Sequence, residues 1–269
     1  MDATYYVGTQ GWSYPDWRGP FYPEGTSSSR YLSFYAKAFT AVEIDSSFYA
    51  VPPASHFLAW YDRTPGTFRF TLKLPGELTH ALRLRGGDEV LATFCKRAEL
   101  LEEKLGAVLV QLPPDFTPAD RPALERFVKR LPPGIRFAVE FRHGGWLEER
   151  TYETLRAAGV AQALSDGPWI ERERLMEAAL SPTAEISYFR WLGDRPQLSD
   201  YAHIRFDRSA EIQGWAKILK ELSGQVQEIY GFFNNHYEGH SPASARRLLE
   251  RLGQPVTDPD ELNPQLSLF

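Results

Sequence analysis

Eight short runs rich in β-branched and aromatic residues alternate with amphipathic helical patterns from one end of the chain to the other. The strand-like runs span residues 5–9, 41–46, 68–73, 107–112, 137–141, 161–164, 186–191 and 229–233. Helical patterns fill the intervals over 30–39, 54–63, 88–105, 119–131, 148–158, 210–222 and 243–252, with a weaker one at 172–179. Within 54–63 the apolar residues Phe57, Leu58 and Tyr61 recur at helical spacing. Gly159 after 148–158 and Gly106 after 88–105 read as helix-ending glycines. Eight βα units in 269 residues leave no room for a second core, which predicts a single-domain α/β fold, a closed (β/α)8 TIM-type barrel. The alternative, an open doubly wound sheet, would normally carry a glycine-rich phosphate turn after its first strand. Gly8-Thr9-Gln10-Gly11 does not match G-x-G-x-x-G, and no Walker sequence occurs. The barrel is assigned to residues 1–253. Residues 254–269, Pro- and Asp-rich from Pro255 to Pro264, read as a short flexible C-terminal tail.

Charge and cysteine usage narrow the setting. The formal net charge is −5, from 30 basic and 35 acidic residues, whereas a protein that binds nucleic acid by its whole surface is usually basic. Any DNA contact would therefore be local or assisted by a partner. One cysteine, Cys95, excludes an internal disulfide and fits a reducing compartment. The N-terminal residues carry neither a basic segment nor a long apolar one, and no stretch approaches ~18 apolar residues. The expectation is a cytoplasmic protein with no membrane partner.

In this barrel class the reacting groups come from the C-terminal ends of the strands and the loops after them. Those positions here are polar: Gln10, Glu43, Asp45, Lys73, Gln111, Glu140, Arg142, His143, Asp166, Arg190, Asn234, Asn235 and His236. Strand alternation puts Glu43 with Asp45 on one face, and Glu140 with Arg142 likewise. Buried charges need a partner or a ligand. Such residues can be Glu–Arg or Glu–Lys pairs that only hold the strands together. As a set, Lys73, Arg142 and Arg190 facing Glu43, Glu140 and Asp166 predict a site for an anionic group, phosphate being the commonest. Glu43, Glu140 or Asp166 would then act as general base or hold a divalent ion, and Gln111, Asn234, Asn235 and His80 would orient the substrate. The six histidines lack tight ligand spacing, so a divalent metal is the weaker expectation. A Schiff-base role for Lys73 is conceivable, but the neighbouring carboxylates are expected to keep it protonated. After the first strand, Trp12 and Tyr14 open an aromatic, proline-broken segment that reads as a lid, a stacking surface for a base or sugar, or both.

Gly8-Thr9-Gln10-Gly11-Trp12-Ser13-Tyr14, followed by Trp17, Gly19, Phe21, Tyr22 and Pro23, resembles the opening of the YecE-like family, domain of unknown function 72. The resemblance extends through Val42-Glu43-Ile44 with Phe48-Tyr49, Lys73, Thr79-His80, Gln111-Leu112-Pro113-Pro114, and Glu140-Phe141-Arg142-His143 with Trp146. It continues through Asp166, Tyr188 with Arg190, and Phe233-Asn234-Asn235-His236, covering the chain to about Leu252. It implies a TIM-type barrel and no established reaction. Two segments depart from it: Trp191-Leu192-Gly193 lacks a histidine common after strand seven, and Pro242-Ala243-Ser244-Ala245 replaces an expected Asn-Ala pair.

The chain ends Gln265-Leu266-Ser267-Leu268-Phe269, which resembles the pentapeptide that binds the bacterial DNA sliding clamp. Leu266, Leu268 and Phe269 would enter an apolar groove while Gln265 bonds a polar recess. The other interpretation is an apolar terminus folding back on its own barrel. Together these features predict a DNA-associated enzyme, hydrolysing a phosphoester or processing a lesion, recruited by the clamp. The alternatives are a small-molecule, sugar-phosphate-type enzyme unrelated to DNA and a non-catalytic clamp-bound adaptor.

Overall fold

Parallel pairing runs unbroken around the molecule, so that every strand has a neighbour on both sides. The structure is a computed structural model that describes residues 2–194, 198–259 and 261–262. The strands are β1 Thr4–Gln10, β2 Ala41–Ile44, β3 Arg69–Lys73, β4 Leu105–Gln111, β5 Phe137–Glu140, β6 Ala161–Asp166, β7 Ile186–Trp191 and β8 Glu228–Phe233. Each pairs in parallel with its sequence neighbours, and β8 returns to β1 in a register running from Thr4↔Glu228 to Thr9↔Phe233. The result is a closed eight-stranded barrel. One helix follows each strand: α1 Tyr31–Ala38, α2 Ala54–Asp62, α3 Asp88–Ala98, α4 Arg121–Val128, α5 Glu149–Ala157, α6 Arg172–Ala179, α7 Ser209–Leu222 and α8 Ser241–Leu252. This is the (β/α)8 fold read from the alternation.

Because successive strand side chains point to opposite faces, the strands build two apolar layers. Ala107, Leu109, Ala138, Ala161, Ala163, Tyr188, Tyr230 and Phe232 pack together inside the barrel. Val7, Val42, Leu72, Val108, Val110, Val139, Phe189, Trp191 and Phe233 face outward into the helix layer. The N-terminal end of the barrel is plugged by Tyr6 stacked on Tyr230, with ring centroids 5.1 Å apart. The Arg69 guanidinium covers the Tyr6 ring at 5.3 Å, and Arg136 pairs with Glu228 beside them. The buried carboxylates Glu43 and Glu140 lie at the opposite end.

Two strand glycines are required by close approach of neighbouring groups. Gly106 does not end a helix. α3 stops at Ala98, a 3-10 stretch covers Glu99–Lys104 with Glu102 at φ 47°, and Gly106 lies in β4. A Cβ there would lie 2.8 Å from the Tyr230 ring, so a barrel-filling side chain, not a helix terminus, requires the glycine. At Gly8 a Cβ would meet the Ala41 carbonyl oxygen at 2.0 Å and the Tyr35 hydroxyl at 2.6 Å. That hydroxyl donates to Ala41 O and accepts from Thr9 N, stitching α1 to β1 and β2. Gly159, at φ 64° after α5, does end its helix.

After α8 the chain turns at Gly253, φ 72°. Asp258 then pairs with Arg246 at 3.6 Å and Leu262 packs on the core. Gln265, Leu266, Leu268 and Phe269 lie outside the described residues. Among the described residues no helix is long and apolar enough to cross a membrane.

Candidate active site at the barrel mouth

A buried guanidinium organises the C-terminal end of the barrel. Arg190, on the inner face of β7, places Nε 3.1 and 2.9 Å from the two oxygens of Glu43 on β2, and Nη2 2.8 Å from Oε1. Its Nη1 donates to Oε2 of Glu140 on β5 at 2.6 Å. The other Glu140 oxygen accepts from Arg142 Nε at 2.8 Å. The Tyr188 hydroxyl donates to Glu43 Oε2 at 2.7 Å and bonds Thr71 Oγ1 of β3 at 2.8 Å. Both carboxylates are 0% exposed and Arg190 is 3% exposed, so the network spans four strands and is shut off from solvent. Burial pushes the Glu140 carboxyl up, but the Arg190 and Arg142 guanidiniums outweigh it and hold the group down to about 2. Burial likewise opposes the Arg190 charge, and Glu140 and Glu43 overcome it, fixing the guanidinium as a cation.

Lys73 ends β3 on the same inner face as Thr71, and its environment differs. Its ammonium lies over the Phe48 ring, 4.0 Å from the centroid. Among the described residues Nζ makes neither a hydrogen bond nor an ion pair. Burial, aided by the nearby Arg190 and Arg142 charges, lowers its pKa to about 8 against the opposing pull of Glu140 and Glu43. Lys73 is therefore mainly an ammonium at pH 7 and loses its proton as pH passes about 8, because both carboxylates that would hold it charged are themselves bound by guanidinium groups. Arg142 stacks its guanidinium over Trp169 at 3.8 Å. His80, in the π-helical turn Glu77–Ala81 after β3, lies edge-on to Phe48 at 5.0 Å and bonds Thr79 Oγ1 through Nδ1. Burial, then Lys73 and Arg142, lowers its pKa and leaves it neutral.

The rim is formed by amides and aromatics. Asn234 Nδ2 donates to Gln10 Oε1 at 2.8 Å, while Gln10 Nε2 is buried with no acceptor among the described residues. Tyr14 donates to the Gln10 carbonyl and tilts over Trp17 at 4.6 Å. Trp12 is half-buried and meets Trp60 edge-on at 6.0 Å. Gln111 spends its amide on the Leu112 carbonyl at 2.7 Å.

Two expected site residues face elsewhere. Asp166 shares its strand face with outward-pointing Leu164 and accepts from Arg172 Nε and Trp215 Nε1, each at 2.8 Å, and from the Tyr237 hydroxyl at 3.3 Å. It ties β6 to α6 and α7 and does not join Glu43 and Glu140. Asn235 accepts from Ser241 N, Ser241 Oγ and Trp17 Nε1, so its oxygen fixes the start of α8.

The sequence profile of a family described as protein of unknown function DUF72 matches residues 6–267. The chain belongs to that family. The UPF0759 protein YunF of Bacillus subtilis is 28% identical, over 92% of this chain and 94% of the relative. The UPF0759 protein YecE of Escherichia coli K12 is 33% identical over 60% of this chain and 58% of its own. A crystal structure of a DUF72 family protein from Thermotoga maritima superposes with a TM-score of 0.79 and 31% identity, covering 93% of this chain and all of that one.

Family membership brings no reaction with it, so the donor set must speak for itself. Among the described residues no three His, Cys, Asp or Glu side chains converge as metal ligands. Glu43 and Glu140 direct their oxygens at guanidinium groups, and the residues present do not fit a divalent ion. The sequence reading missed Phe48 as the surface beneath Lys73, Trp169 as the surface beneath Arg142, and Gln10 as an unsatisfied donor. Gln10 was legible as a polar strand end. The two aromatics lie in loops where nothing local signals which cation they will face.

Proposed function

We propose that the chain is an enzyme acting on a phosphate-bearing substrate held over the barrel mouth, drawn there by the positive charge that Lys73, Arg142 and Arg190 share. The observation that carries this is the Lys73 ammonium, seated inside the mouth with no carboxylate partner among the described residues, while Glu43 and Glu140 each have a cation. Three cations, Lys73, Arg142 and Arg190, share two carboxylates, which leaves an excess positive charge where a ligand enters. Gln10 Nε2 offers a further donor for a substrate oxygen. Trp12 and Tyr14 supply apolar surface beside it. With Glu43 and Glu140 engaged, this set favours chemistry at a carbon centre of the substrate over metal-assisted phosphoester hydrolysis. Calorimetric titration with inorganic phosphate tests the reading. Lys73→Met is expected to weaken binding at least tenfold, and either equal affinity or no binding to the unmodified protein would overturn it.

A second observation favours a setting. The terminal Gln265-Leu266-Ser267-Leu268-Phe269 supports recruitment by the bacterial sliding clamp, and so a lesion in DNA as the substrate. Clamp binding would supply local concentration on DNA that a chain of net charge −5 lacks by itself. Purified clamp should bind the full chain and not one ending at Pro264. Unchanged affinity on truncation would remove the support for a DNA role.

A further inference from the structure

We propose that Lys73 is an amine nucleophile that forms an iminium with the carbonyl carbon of a phosphate-bearing aldehyde or ketone. The proposal deepens the phosphate-site reading above and rests on it. Lysine becomes a carbon nucleophile when it is desolvated or set beside other cations, and Lys73 meets both conditions. Its Nζ lies over the Phe48 ring and makes no ion pair among the described residues. The charged groups that face it come from every neighbouring element: Glu43 on β2, Glu140 and Arg142 at β5, Arg190 on β7 and His80 in the turn after β3. The two carboxylates would hold an ammonium in its charged form, but Arg190 and Arg142 bind them. The amine is thereby left with a cationic surround, and the same surround attracts the substrate's phosphate.

The step balances without any redox partner. Lys73 gives up a proton, and its lone pair forms a bond to the carbonyl carbon as the C=O π pair moves to oxygen. The oxygen takes up a proton and the attacking nitrogen gives up its second one, giving a neutral carbinolamine. A second proton on that oxygen lets it leave as water, and the nitrogen lone pair closes the C=N bond. The net change is ammonium plus carbonyl to iminium plus water. His80, neutral and in contact with the same Phe48 ring, is a carrier for these protons.

The iminium is a trappable species. The full chain is incubated with 2-deoxyribose 5-phosphate in one arm and with an abasic-site oligonucleotide in the other, each with cyanoborohydride, and the modified lysine is located by peptide mass mapping. The expected result is a reduced adduct on Lys73 at least tenfold above that on exposed lysines, with a yield that rises as pH passes through about 8. Adduct from the free sugar phosphate alone identifies a small-molecule substrate, and preference for the oligonucleotide identifies DNA. Lys73→Arg keeps the cation and removes the nucleophile. It should still bind inorganic phosphate within about threefold of the unmodified protein and should give no adduct. Phosphate binding with no Lys73 adduct in either arm, or adduct spread evenly over surface lysines, overturns the proposal and spares the phosphate site. Absence of both binding and adduct overturns the two together.

Discussion

At the scale of single residues, Arg190 and Lys73 lie at the same barrel end and should affect stability in opposite directions. Replacing Arg190 by Met leaves the Glu43 and Glu140 carboxylates buried without their shared cation, which should cost about 3–5 kcal/mol in urea unfolding at pH 7. The pH dependence follows from Glu140. Its folded-state pKa lies below its unfolded value, so the clasp stabilises fully above about pH 5 and loses its effect as pH falls towards about 2. The gap between Arg190→Met and the parent protein should therefore narrow in acid. Lys73→Met should instead stabilise the protein by about 1–2 kcal/mol at pH 7, because it removes an ammonium that burial disfavours. Between pH 8 and 10.5 the unfolded chain holds the Lys73 proton more tightly than the folded one, so the penalty fades as pH rises and the gain should vanish above 10.5. A gain independent of pH, or a loss at pH 7, would show that the ammonium is not disfavoured in the fold. A stabilising removal is what a group kept for function at some cost to the fold would show.

Elements explain which polar strand ends reach the mouth and which do not. Glu43, Glu140, Arg190 and Asn234 share the parity of the barrel-filling side chains on their strands: Ala41, Ala138, Tyr188 and Phe232. Asp166 has the parity of Leu164, which packs against helices, and Asn235 follows Asn234 by one position. Polarity at a strand end was legible in the sequence, but the phase of the strand decides what that polarity faces, and adjacent residues such as Asn234 and Asn235 cannot both point inward. The elements themselves were legible because period-two runs and helical spacing are local signals. The helix expected over 88–105 stops at Ala98, and the 3-10 stretch after it turns at Glu102, whose positive-φ backbone leaves no compositional trace. Asn235 carries an element-scale prediction. Its side-chain oxygen accepts from the first turn of α8 and from Trp17, so Asn235→Ala should lower stability by about 1–2 kcal/mol. Asn235→Asp keeps the acceptor and should retain most of that stability. Phosphate affinity should change in neither variant, whereas a role in holding substrate would lower it in both.

For the whole molecule, barrel closure is complete before the described part of the tail begins. β8 pairs with β1 along six residues, and α8 covers that seam before the chain turns away at Gly253. Beyond that turn the described residues contribute the Asp258–Arg246 pair, at least 29% exposed on both partners, and the packing of Leu262. Exposed pairs of this kind add ~0–1 kcal/mol, so this pair by itself adds little to the stability of the barrel. A chain ending at Pro264 should melt within about 1–2 °C of the full one, a shift that corresponds to at most about 1 kcal/mol in a domain of this length. The two functional proposals then become separable in one experiment. On free 2-deoxyribose 5-phosphate the truncated chain should trap at Lys73 as well as the full chain does. On clamp-loaded abasic DNA it should lose about 10²-fold or more, the scale on which tethering raises effective concentration. Lys73→Arg should show the reverse pattern, with clamp affinity intact and no adduct on either substrate. If truncation instead weakens trapping of the free sugar phosphate, the tail acts on the mouth directly, and a clamp tether is the wrong description of it.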